Sequence, residues 1–352
     1  MTDLKRAVAE LKKGGSFTLS AVPEGYDAFC VADLTRQLAR EAENRAVVFV
    51  FVSRDEQRAR AFNEALAFAD PRIEVLDFPA WDCQPYDRVS PNAAISARRM
   101  TALARLSATR TAEDRPRILS TTIAAILQRV PPLKRVAKDT FSAAPGNAVD
   151  MDALVQWLEI NGFTRSSTVR DTGDYAVRGG IIDLFAPSQQ QPVRLDFFGD
   201  TLESIRTFDP ESQRTIGQLR GLDLVPMSEV QLTSDSMKRF RHAYLTEFGA
   251  QTRGDMLYEN ISEGRRHPGY EHWLPLFYDG LDTIFAYTGN APLILDAQVQ
   301  EAAIERFDQI ADYYDARKTA HEAALNNSPY KPLKPDRLYL SKAEWAKLLA
   351  GR

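Results

Sequence analysis

The run AVVFVFV, residues 46–52, decides how the first third of the chain is read. It is too short for an ordinary buried helix, and its valines and phenylalanines leave no polar face to set against water. Such a segment predicts a strand covered on both sides, which means a parallel sheet clothed by helices. Working outward, SFTLSAV (16–22), RIEVLDF (72–78) and RPRILSTT (115–122) read as companion strands, and YDAFCVADLTRQLAREA (26–42) reads as a connecting helix. The same grammar returns in APLILDA (291–297). A helix follows whose Val299, Ala303, Phe307, Ile310 and Tyr314, spaced four, four, three and four apart, form one apolar stripe.

Between these parts, from about Pro131, the pattern changes. MDALVQWLEING (151–162) predicts a short helix with Asp150 as N-cap and Gly162 as its stop. YAVRGGIIDLF (175–185), PVRLDFFGD (192–200) and TLESIRTFD (201–209) then alternate, with Val193, Leu195 and Phe197 on one side and "GD" as a hairpin turn. This predicts a small antiparallel, β-rich domain inserted into an α/β domain that is split in sequence.

With 352 residues, 44% hydrophobic and 26% charged, the chain has the composition of a globular protein of more than one domain. No 18-residue apolar run or signal-peptide pattern is present, so the expectation is a cytoplasmic protein with no membrane partner. Cys30 and Cys83 form neither a CxxC nor a cluster with histidine, so no disulfide framework or zinc site is indicated. A net charge of −4 argues against a surface that is one continuous nucleic-acid track.

An ATPase of this architecture would carry GxxxxGK[ST] in the turn after its first strand, because glycine amides cradle phosphate and the lysine reaches the outer phosphates. Here the turn is AVPEGYDAF, and Pro23, Glu24, Gly25 and Tyr26 supply no lysine and one repelling carboxylate. Asp296, at the end of LILD, stands where a Walker B acid would sit, but Ala297 follows it; a helix-capping role is expected for Asp296 rather than metal binding. Taken alone, this reads as a plain strand-to-helix turn; with the resemblance described next, it implies a degenerate P-loop, RecA-like helicase-type domain. No Ser-His-Asp arrangement or nucleophile elbow is present, and no catalytic residue is nominated.

Three long stretches, FPAWDCQPYDRVSPNAAISARRMTALARL (78–106), GDYAVRGGIIDLFAP (173–187) with PVRLDFFGDTLESIRTFDPESQRT (192–215), and HPGYEHWLPLFYDGLDTIFAYTGNAPLILD (267–296), resemble, in order, the amino-terminal region of the bacterial transcription-repair coupling factors, the Mfd family. That region is similar in turn to the first domains of the excision-repair protein UvrB. A working UvrB would need the P-loop and a long tyrosine-rich hairpin, for which there is no room between Asp82 and Arg98. The resemblance implies a first α/β part over 1–127, a UvrA-binding β-rich domain over 128–213, the second α/β part over 214–335, and a segment 336–352 leading toward polymerase-binding and motor domains. It implies a chain that uses no cofactor itself, ATP and Mg²⁺ belonging to the motor domains of the full-length family member. The implied partners are UvrA directly, RNA polymerase and DNA through the longer protein, and a C-terminal domain that masks the UvrA surface.

Carried over residue by residue, the resemblance places the UvrA contact at Arg165 and Arg178, with Gly179, Ile182 and Asp183 around the Arg-Gly hairpin. UvrB has a further arginine where this chain has Ala176. Arginine's planar fork suits carboxylates on a partner, but Arg178 could equally pair within the chain, with Asp183 or Asp174. Arg98, Arg99, Arg105 and Arg110 raise a separate question, whether they contact phosphates or form a solvated basic helix face. His267 and His272, five apart across a proline and a glycine, fit no helical ligand pair.

Overall fold

The computed structural model describes residues 2–41, 47–108, 115–250, 252–323 and 330–351. Three parallel strands come first, β1 (Val47–Ser53), β2 (Glu74–Phe78) and β3 (Arg117–Thr122), linked by helices Glu56–Ala69 and Ala93–Ser107. Each helix starts at a side-chain cap that satisfies a free amide: Asp55 accepts from Arg58 N, and Asn92 accepts from Ala94 N.

The chain then leaves this sheet. Strand β4 (Phe141–Ala143) precedes helix Met151–Ile160, capped by Asp150 as its sequence predicts. Next comes a six-stranded sheet of β5 (Thr164–Arg165), β6 (Asp174–Arg178), β7 (Ile181–Leu184), β8 (Val193–Phe198), β9 (Thr201–Phe208) and β10 (Thr215–Leu219). Its neighbours follow chain order and are antiparallel except for β5 with β6. Strand β11 (Leu222–Leu224) pairs back onto β4, and β12 (Leu293–Leu295) rejoins the parallel sheet, whose order is β12-β1-β3-β2. The fold is thus mixed α/β, a parallel sheet beside an antiparallel β-rich one.

Both faces of the parallel sheet are covered, because alternate residues of β1 point into different cores. Phe49 and Phe51 pack with Ala28, Val31, Phe62 and Leu66 of the helices on one side, and Val50 and Val52 pack with Met100, Leu103 and Val299 on the other. Full burial of such side chains is worth about 1.5–3 kcal/mol each. The stripe Val299, Ala303 and Ile310 lies on helix Val299–Ala323 and is buried as its spacing requires. One expected strand is absent: residues 16–22 form no ladder, and both flanks of β1 are held by β12 and β3.

A third, aromatic core joins helices Ser234–Phe248 and Met256–Ser262 to the 3-10 segment Tyr270–Leu276, and it holds Trp81, Phe240, Tyr244, Trp273 and Phe277. Two titratable groups are buried at its edge. Burial pushes the Glu271 carboxyl up to about 7, with Ser90 Oγ donating to it at 2.7 Å. Burial also lowers the neighbouring His272 to about 4. His267 sits apart, half-buried against Asn260, so the two histidines share no site.

Candidate interaction surface

The register of the antiparallel sheet sorts its residues into two faces. Tyr175, Ile182, Leu184, Val193, Leu195 and Ile205 face helix Met151–Ile160 and pack on Leu154 and Leu158. The other face carries Ala176, Arg178, Ile181, Asp183, Arg194, Asp196, Ser204 and Arg206 across β6 to β9. Its charges form a ladder. Asp183, buried to 1% exposure, accepts two hydrogen bonds from Arg194, 2.7 and 2.8 Å long. Asp196 likewise accepts two from Arg206, at 2.8 and 2.6 Å. Arg194 also lies over the ring of Phe208, 4.8 Å from its centroid.

Three arginines meet two carboxylates on this face, and the unmatched cation is Arg178. Its side chain is 50% exposed and stands 3.8 Å from Asp183, whose oxygens Arg194 already engages. It donates instead to the backbone carbonyl of Ser167 at 2.6 Å. Asp174, the other internal candidate, accepts from the amides of Arg170 and Asp171. The guanidinium is therefore oriented by a neutral carbonyl, with its nearest carboxylate shared and half of its surface open to solvent. Gly179, at φ +58°, makes the two-residue turn that carries it, which is the conformation that glycine adopts without strain.

The other expected residues separate by burial. Ile182 is fully buried in the core, so it supports the surface from beneath and offers no contact; Asp183 is likewise inaccessible and serves to hold Arg194. Arg165 is exposed on the edge strand β5 opposite Tyr175, and so belongs to the helix-covered side where Tyr175 Oη donates to Glu159 at 2.8 Å. Arg165 and Arg178 thus flank one sheet edge from its two sides and do not share a face. Sequence reading missed Phe198, which is 77% exposed on the Arg178 face; its period-two offset from Asp196 is the signal that could have found it.

At the phosphate turn, Gly25 takes φ +90° and its amide donates to Asp27 Oδ1 at 2.9 Å. Arg54 Nη1 donates to Glu24 at 2.8 Å, a hydrogen bond that holds the Glu24 carboxyl below its ordinary range. The buried Arg58 pairs with Asp27 and lies 3.1 Å from Asp296 Oδ2. Asp296, expected as a helix cap, is instead committed to this arginine, and burial raises its carboxyl. The helix Tyr26–Glu41 that opens here follows an extended segment without a strand.

The basic helix is also redefined. Arg99 is fully buried: Nε and Nη2 donate to Glu229 at 2.6 and 3.3 Å, and Nη1 donates to the Pro79 carbonyl at 2.8 Å. Trp81 Nε1 donates to the same carboxylate at 2.9 Å. Arg98 pairs with Asp77 at 2.9 Å and Arg105 with Glu74, while Arg110 lies outside the described residues. Among the described residues, no helix is long and apolar enough to cross a membrane.

Residues 141–230 match the UvrB interaction domain family, a span that contains the whole antiparallel sheet and its covering helix. Over a longer stretch the chain is similar to transcription-repair-coupling factors: 33% identical to that of Rickettsia bellii over 86% of this chain and 26% of the relative. With that of Myxococcus xanthus it shares 37% identity over 70% of this chain and 21% of the relative; with that of Escherichia coli, 29% over 77% and 23%. The chain belongs to the transcription-repair coupling factor family and corresponds to its amino-terminal region. It spans about a quarter of the length of the curated relatives it matches.

Proposed function

We propose that this chain is a non-catalytic, UvrB-like adaptor of transcription-coupled repair, which recruits UvrA through the antiparallel sheet. The observation that carries the reading is the coincidence of the UvrB interaction match with a half-exposed Arg178 at a hairpin tip, whose nearest internal acid, Asp183 at 3.8 Å, is already doubly bonded by Arg194. Arg178 would grip carboxylates on UvrA, Arg165 would meet the partner at the flanking edge, and Gly179 would let the backbones approach. The rest of the α/β domain reads as a RecA-like unit without a working nucleotide site, the division being 1–127, 128–213, 214–335 and 336–352. Pro23, Glu24, Gly25 and Tyr26 present no lysine, and Arg58 with Asp27 and Asp296 fills the place with internal charge.

RNA polymerase and DNA would be engaged through other parts of the longer protein, which would supply ATP-driven motion with Mg²⁺ and mask the UvrA surface until needed. Direct DNA binding by the 98–117 arginines finds less support, because Arg98, Arg99, Arg105 and Arg117 each already face a carboxylate. The test is capture of purified UvrA by the chain. Arg178→Glu is expected to abolish it and Arg165→Glu to weaken it, with thermal melting unchanged for both, and undiminished capture by both variants would refute the assignment.

A further inference from the structure

Two hairpin tips stand side by side at one end of the open sheet face. Gly179–Gly180 closes β6 onto β7, Gly199–Asp200 closes β8 onto β9, and the Phe197 amide donates to the Gly180 carbonyl at 2.8 Å. A Cβ at Gly180 would lie 2.9 Å from the Phe197 carbonyl oxygen, so the tips are in contact with no slack. Alternation along β8 puts Phe197 into the core side and Phe198 on the side of Arg178. A single exposed phenylalanine is ordinarily unremarked. This one precedes a two-residue turn with Gly199 at φ +59°, on the same sheet face as Arg178 and two strands from it, where Arg178 shares Asp183 at 3.8 Å and the other arginines are fully paired.

We infer that Phe198 is the apolar anchor of the interaction surface, entering a recess on the partner that is bordered by the carboxylates Arg178 engages. An aromatic ring fixed by a turn loses little conformational freedom on binding, and aromatic and arginine side chains dominate interface energetics. The occupant is a protein surface with an apolar recess for Phe198 and a local carboxylate placed for Arg178, not an evenly anionic one. A nucleic acid is disfavoured because Asp200 and Glu203, both exposed on the adjacent hairpin, would repel phosphates. The inference rests on the reading that the partner is UvrA, and it adds the chemistry of the contact.

The experiment is calorimetric titration of UvrA into the full 352-residue chain and its variants. Phe198→Ala is expected to weaken binding at least about ten-fold with an unchanged melting temperature, the scale of a hot-spot truncation. Phe198→Leu should keep most of the affinity. Phe68→Ala, which removes an 82% exposed phenylalanine on a helix of the parallel-sheet part, should change nothing. If Arg178→Ala weakens binding while Phe198→Ala does not, the anchor is wrong and the partner reading stands. Equal losses from Phe68→Ala and Phe198→Ala would reduce the effect to general apolar adhesion and overturn the inference. If UvrA does not bind the wild-type chain, both readings fall.

Discussion

Arg99 shows how little a single letter conveys. In the string ARRM it looks like its neighbour Arg98, yet one is half-exposed and paired at the surface while the other is sealed in the interior with Glu229, 130 positions away. Nothing local distinguishes them, because the choice is made by which helix face meets Phe78 and Trp81, and that is a tertiary fact. Removing one partner of a buried ion pair strands the other charge. Arg99→Met is therefore expected to cost about 3–5 kcal/mol, and Arg99→Met combined with Glu229→Leu distinctly less than the sum of the two singles. Urea denaturation of the four proteins measures this; additive losses would show that the pair is not coupled. Arg178, by contrast, was legible by motif, since Arg-Gly-Gly between two β-rich runs announces a turn. Its having to share Asp183, at 3.8 Å, with the closer Arg194 was not, because that depends on how the strands register.

Elements were read best where periodicity was strong. β1, β2, β3 and β12 follow from apolar runs, the β8–β9 hairpin from alternation and "GD", and the helix Met151–Ile160 from its cap. Residues 16–22 fail for another reason: an apolar segment becomes a strand only where it meets a ladder partner, and this one meets none, both flanks of β1 being held by β3 and by β12, which arrives from 240 residues downstream. At this scale the paired hairpin tips make a prediction. Gly180→Val puts a Cβ against the Phe197 carbonyl, a backbone atom that cannot swing away. Loss of about 1–3 kcal/mol in stability is expected, the range for overpacking, together with a shift of the β8–β9 amide resonances. Unperturbed resonances across 196–201 would mean that the tips do not touch in solution.

At the level of the whole molecule, the aromatic core contains two adjacent titratable groups that act in opposite directions. Glu271 is protonated more readily in the folded state, its carboxyl moving from 4.5 to about 7, so its contribution to stability falls as pH rises through that interval. His272 moves from 6.5 to about 4, so its contribution falls as pH drops through nearly the same interval. The two slopes oppose each other, so the net contribution of this pair should change little between these limits. Glu271→Gln, which can still accept from Ser90, removes one slope. The variant should gain stability over the wild type, on the order of 3 kcal/mol at pH 8, and little at pH 4.5. Chemical denaturation at several pH values tests this, and a difference independent of pH would rule it out.

The ring of Arg58, Asp27 and Asp296 joins the start of one helix, the first turn of another and the end of a strand. In a fold whose strand-end crevice takes up and releases a ligand, that junction opens and closes with each cycle. Here three of the chain's own side chains already meet at that junction. The consequence is cohesion: these charged side chains act there as a knot between two helix starts and a strand end.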